Sequence, residues 1–182
     1  NNIVIHVHPN RIWGSDRDAE EFKASLTESV VHWLESRIKT LTRRSPEQID
    51  ELLIGISALS QAEPPQVSAV FRLKTPEPQS ALIEEFGGEE ISAPGQPLVT
   101  RQGDSAFHVA SDGTIAIAPA SAADELVDAI AQPLECVTDG IGELLPSTDR
   151  DRSFTVLANV DDMVTYADQL FEPALLPAIP RI

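Results

Sequence analysis

Residues 3 to 9 read Ile-Val-Ile-His-Val-His-Pro, an apolar run that carries His6 and His8. In a strand, residues two apart share a face, with Cβ atoms about 6 to 7 Å apart. Two imidazoles so placed can chelate a divalent ion such as zinc, nickel or manganese. The simpler reading is two polar side chains on the open face of a sheet, waiting for a loop or a partner. The second is preferred, because catalysis needs a third ligand and a cleft, and the sequence does not show where these would come from.

The run Ile3–Pro9 resembles the opening strand of amidohydrolase-type enzymes. That family implies a (β/α)₈ barrel of about 250 residues, and 182 residues are too few. It also implies further histidines, a lysine or acidic ligand and a catalytic aspartate from later strands. Only His32 and His108 remain here. His32 is expected to face solvent, opposite an apolar helix stripe. His108 lies between Phe107 and Val109 in a strand and has no acidic residue at metal-ligand spacing.

Other constellations have quieter explanations. Asp16-Arg17-Asp18 and Asp149-Arg150-Asp151 carry carboxylates at a cation-binding spacing, but no glycine-centred calcium loop surrounds either. The first fits a helix cap and the second a solvated turn. Asp161-Asp162 fits the first turn of a helix, where the dipole favours anions. Glu84-Glu85 and Glu89-Glu90 flank the helix stop Gly87-Gly88 and read as surface. Cys136 is the single cysteine, so no intramolecular disulfide forms. No nucleophile elbow, phosphate loop or Cys/His zinc pattern occurs. No catalytic residue is assigned, and no cofactor is implied beyond a divalent metal on His6 and His8.

The net charge is −16, shared by both halves. Residues 1–91 hold 9 basic and 15 acidic residues, and residues 92–182 hold 4 and 14. Such a field repels phosphate backbones, which argues against nucleic acid. No stretch reaches the roughly 18 apolar residues that span a bilayer, so this segment inserts into no membrane. The chain starts at Asn1-Asn2 and enters a strand at once, as a trimmed chain would; a missing leader therefore says nothing about location.

The elements that must position His6 and His8 follow from periodicity. Residues 3–8 alternate as a half-buried strand that Pro9 ends. Phe22, Leu26, Val30, Trp33, Leu34, Ile38 and Leu41 fit one long helix over 16–42, with Trp13 packed beneath it. Ser45-Pro46-Glu47-Gln48 is a capping box opening a short turn. Strands are expected at 52–56, 67–74, 97–102, 105–110, 114–119 and 153–158. Helices are expected at 79–86, 122–131 and 159–171. Asp112-Gly113 marks a hairpin. Residues 3–171 then form one α+β domain, a mainly antiparallel sheet of six or seven strands with helices largely on one face. Residues 172–182 are a proline-rich tail. The first half resembles the start of a ferredoxin-like unit.

A wider likeness runs along the chain: Val4–Trp13, Ser45–Ser57, Val67–Lys74, Asp112–Pro119 and Ser153–Met163. In pattern and spacing these resemble uncharacterised α+β domains of secreted or membrane-anchored planctomycete proteins. The resemblance implies an extracytoplasmic domain without an assigned activity and brings no functional residues with it. The expectation is a non-catalytic binding or structural domain of a larger bacterial protein, with a metal-dependent hydrolase as the alternative. The sheet face carrying His6, His8 and His108 is the expected place for a protein partner or a second copy.

Overall fold

The structure, a computed structural model, describes residues 3–57, 65–132, 149 and 151–158. Strand β1 (Ile3–Val7) is followed by three helices: α1 (Pro9–Ile12), α2 (Arg17–Ser25) and α3 (Glu28–Thr42). A 3-10 turn at Pro46–Gln48 leads into β2 (Ile49–Ser57) and β3 (Gln66–Leu73). Then come α4 (Gln79–Phe86), β4 (Glu89–Glu90), β5 (Thr100–Gln102), β6 (Ser105–Ser111), β7 (Thr114–Pro119), α5 (Ala123–Ala131) and β8 (Phe154–Ala158). The strands form one eight-stranded sheet in the order β4-β5-β6-β7-β3-β2-β1-β8. Every pairing in it is antiparallel. The protein is an α+β fold.

Alternation along the strands separates two faces. On the first, the register aligns Val7, Leu52, Phe71, Ile115 and Val109 across five strands. The helices α1, α3 and α4 and the segment after α1 add Ile12, Trp13, Ile38, Leu82 and Phe86 to this core. Trp13 packs beneath α3 as expected, its indole N–H donating to Glu35 at 2.7 Å. On the second face the same register aligns Thr155, His6, Leu53, Val70, Ala116 and His108. Helix α5 covers one end of that face, where Ala123 and Val127 pack on Val99 and Ala106. Among the described residues, no helix covers the part built from β8, β1, β2 and β3.

Three expectations change. The helix expected over 16–42 is two helices, broken at Leu26 and Thr27, both of which have extended backbone. Ser25 donates back to Phe22 O at 2.6 Å, and the Thr27 hydroxyl meets that of Ser29 at 3.1 Å. Such local side-chain bonds compete with the helical ladder. The ferredoxin-like start is also absent. In that unit a helical crossover joins parallel strands, whereas β1 lies directly beside β2 and antiparallel to it. Three short helices, rather than one crossover, bring the chain back. The expected strand 97–102 contracts to β5, preceded by the turn at Gly95, whose φ is +89°. The expected helix 159–171, the tail 172–182 and Cys136 lie outside the described residues.

Arg44 anchors α3 to α4. Its side chain is 10 % exposed and pairs with Glu77 at 3.2 Å and with both carboxylate oxygens of Glu85. The hydrogen bond from Arg44 holds the Glu85 carboxyl below its ordinary value. At the sheet, the hydrogen bond from Arg72 does the same for Asp50. A depressed carboxylate binds fewer protons in the folded state than in the unfolded chain. Its contribution is therefore full above about pH 4 to 4.5, the ordinary carboxylate range, and is lost as pH falls through the folded values. Melting temperature should accordingly decline below about pH 4.5. The decline should be shallower in a Glu85→Gln, Asp50→Asn double variant; equal slopes would rule these two groups out as its source.

Candidate functional site

Strand alternation turns His6 onto the second face, yet it is only 8 % exposed. Its Nε2 lies 2.8 Å from Glu51 Oε1. His8 continues β1 by one residue, its amide donating to Ser153 O at 2.9 Å, and is 6 % exposed. The His8 Nδ1 sits 2.8 Å from Asp50 O. A carbonyl only accepts, so Nδ1 carries the proton there, and in the neutral ring Nε2 is the lone-pair nitrogen. The two imidazoles meet edge to face, with ring centroids 4.8 Å apart.

A bulge in β2 brings the acids in. Ile49 pairs with Leu73 and Glu51 with Arg72, so Asp50 is the extra residue. A bulge redirects side chains that alternation would send to opposite faces. Here consecutive residues Asp50 and Glu51 both reach Arg72, at 2.7 and 3.1 Å. Asn10 donates to the other Asp50 oxygen at 3.2 Å. The guanidinium, hydrogen-bonded by Asp50, is held above its ordinary value. With one cation and two carboxylates, the cluster keeps one net negative charge, beside two histidines.

The cluster closes one end of a cavity of about 360 Å³ on the open face. Val4, Leu53, Val70 and Leu157 supply its apolar floor, and His6, Glu51, Arg72, Thr114 and Thr155 its polar groups. The buried Thr155 hydroxyl has no hydrogen-bond partner among the described residues. It stands beside His6 across the β1–β8 pair.

His6 and His8 are thus brought together, but His108 is not. It shares their face four strand spacings away, about 19 Å, and its Nδ1 meets Leu98 O at 2.7 Å. His32 is exposed on α3, 4.0 Å from Glu35. Asp16 caps α2, accepting from Ala19 N at 2.9 Å. Asp149 accepts from Asp151 N at 3.1 Å, as a turn would. Neither arrangement gathers oxygen ligands around a cation. Glu85 and Glu89 are taken up by Arg44 and Arg101.

Reading the sequence missed Glu51 and Arg72. Alternation could have found both: Glu51 shares the face of Leu53, and Arg72 that of Val70. What alternation cannot give is that β2 pairs with β1, in a register that sets Glu51 diagonally beside His6. Among the described residues, His6, His8 and Glu51 form the one group of three metal-ligating side chains, their donor atoms all within 4.8 Å of one another. No helix of the described residues is long and apolar enough to cross a membrane. No protein-family model, curated protein or solved structure matches the chain.

Proposed function

We propose that the chain is a non-catalytic binding domain of a larger bacterial protein, and that the open sheet face takes a small amphipathic ligand. The cavity beside His6 and Glu51 carries the reading. Its volume falls within the range of small-molecule sites, and so does its make-up, an apolar floor with a few convergent polar groups. The net negative charge at the Glu51 end favours a cationic or hydrogen-bond-donating group there, and the Thr155 hydroxyl, unpaired among the described residues, offers a further partner. The likeness to extracytoplasmic planctomycete domains supports a place outside the cytoplasm.

A fragment screen by amide NMR tests this. Amine-bearing apolar fragments should shift the amides of Val4, Leu53, Val70 and Thr155 together. Val70→Gln, which changes a side chain already 42 % exposed, should weaken those fragments about tenfold without unfolding the domain. Shifts scattered over the surface, or unaltered by Val70→Gln, would remove the groove as the binding place.

One observation favours a second reading, a metal-dependent hydrolase: Glu51 supplies the third donor that His6 and His8 alone lacked. A triad of two histidines and a glutamate leaves coordination positions open, as catalytic zinc sites do. This reading requires first that the triad hold a metal.

A further inference from the structure

We infer that His6, His8 and Glu51 form a binding site for one divalent first-row transition ion of the zinc class, with an open coordination position toward the groove. The inference goes beyond the small-ligand reading and does not depend on it.

Three features carry it. The first is chemistry. Two imidazoles and one carboxylate are nitrogen and oxygen donors of the kind zinc takes, and the ligand atoms already lie within 4.8 Å of one another. Two donors on one tetrahedral ion at about 2.1 Å stand about 3.4 Å apart. From 2.8 Å, the His6–Glu51 pair opens by about 0.6 Å. The widest pair closes by about 1.4 Å. Side-chain torsions accommodate both movements.

The second feature is orientation. A metal-ligating histidine commonly donates its other N–H to a carbonyl or carboxylate, which fixes the ring and its lone pair. His8 is held this way by Asp50 O at 2.8 Å. Glu51 is held on its other oxygen by Arg72 at 3.1 Å. Arg72 thus serves as a positioning residue, leaving Oε1 to the ion. His6 ligates through Nε2, whose hydrogen bond to Glu51 the ion replaces; the Nε2 proton of the metal-free state leaves to solvent or gives way to the Nδ1–H tautomer.

The third is electrostatics. The cluster has a surplus negative charge before any ion arrives, in a chain of net charge −16. Arg72 offsets one of the two carboxylates beside it, so a divalent ion meets attraction at Glu51. Burial of both imidazoles limits competition from water.

The experiment is a titration of the chelator-stripped 182-residue chain with zinc chloride, read by imidazole NMR. The chain has four histidines, and they serve as internal controls. Zinc should move the ring signals of His6 and His8 with one-to-one stoichiometry at micromolar concentration. Those of His32 and His108 should stay in place. Cobalt(II) should give visible absorption of a tetrahedral or five-coordinate nitrogen–oxygen site. Glu51→Gln keeps an acceptor for His6 and should weaken zinc binding about a hundredfold or more. Arg72→Lys, which keeps the positive charge but not the planar fork that holds both Asp50 and Glu51, should weaken it about tenfold, the cost typical of a group that orients a ligand. Signals that move first at His32 or His108, or no saturation below about a millimolar, would overturn the site. So would zinc affinity unchanged by Glu51→Gln, since Glu51 would then not be a ligand of the ion. The native-chain titration decides the matter even if a variant fails to fold. Fragment shifts persisting in metal-free protein would uphold the small-ligand reading whichever way the zinc result falls.

Discussion

Phe86→Ala should lower the unfolding free energy by about 4 kcal/mol, within the range for deleting a fully buried phenylalanine. Phe86 ends α4 and is wholly inaccessible to solvent. Its ring lies 6.2 Å from that of Phe71 on β3 and 5.5 Å from that of Phe107 on β6, both tilted. The guanidinium of Arg43 stands 5.2 Å from the Phe86 centroid, and that of Arg44 5.5 Å. One side chain therefore joins α4, two strands and the end of α3. Removing it leaves a cavity, loses two aromatic contacts and takes a ring from Arg44 and Arg43, of which Arg43 keeps that of Phe107 at 4.6 Å. For a chain of this size, the loss corresponds to a melting-temperature drop of about 8 to 16 °C. Urea unfolding followed by circular dichroism measures it. A loss under about 1.5 kcal/mol would mean that α4 does not seat on the sheet as described.

That packing was partly legible in the sequence. Helix α4 could be bounded because Pro78 precedes it and Gly87-Gly88 follows, and Leu82 and Phe86 sit four apart on its buried face. The hairpin of β6 and β7 was marked by Asp112-Gly113, where Gly113 takes a φ of +129°. A second function of that turn was hidden: Asp112 accepts from Gln79 N at 2.9 Å and so caps α4 from a distance of 33 residues. The break at Leu26–Thr27 was hidden for a different reason. The apolar spacing runs on through it, and only Ser25 and Thr27 hint that local hydrogen bonds compete with the helix. Local rules give element type and facing. They do not give which strands become neighbours.

The candidate site shows the same division. His6 and His8 stood out because two imidazoles two residues apart share a strand face. His108 joined them in expectation because it too sits on a strand. It does lie on the same face, but pairing decides separation, and β2, β3 and β7 stand between β6 and β1. Glu51 was passed over although it is only two residues before Leu53 on the same face. Its role depends on antiparallel pairing of β1 with β2 and on the bulge at Asp50, both products of tertiary structure. An acid inside an apolar strand was the available signal. Burying it without a partner would be costly, so a histidine or arginine had to be found nearby.

Leu52 and Leu53 are neighbours of the same type, and truncating each should separate the two faces of the sheet. Leu52→Ala should cost about 3 kcal/mol of stability, typical for a fully buried leucine. Leu52 is completely inaccessible and lies between Val7 and Phe71 in the core. Leu53 is 38 % exposed and lies between His6 and Val70 on the floor of the groove. Much of its surface already meets water, so Leu53→Ala should cost under about 1 kcal/mol. The binding order should be the reverse. Fragments that occupy the groove should lose affinity with Leu53→Ala, because it removes floor they would cover. They should keep it with Leu52→Ala under conditions where that variant remains folded. Urea unfolding and the amide-NMR titration, run on both variants, give four values. Equal stability losses would mean that the second face is buried like the first. Unequal losses with equal binding would leave the sheet as described and move the ligand away from the groove.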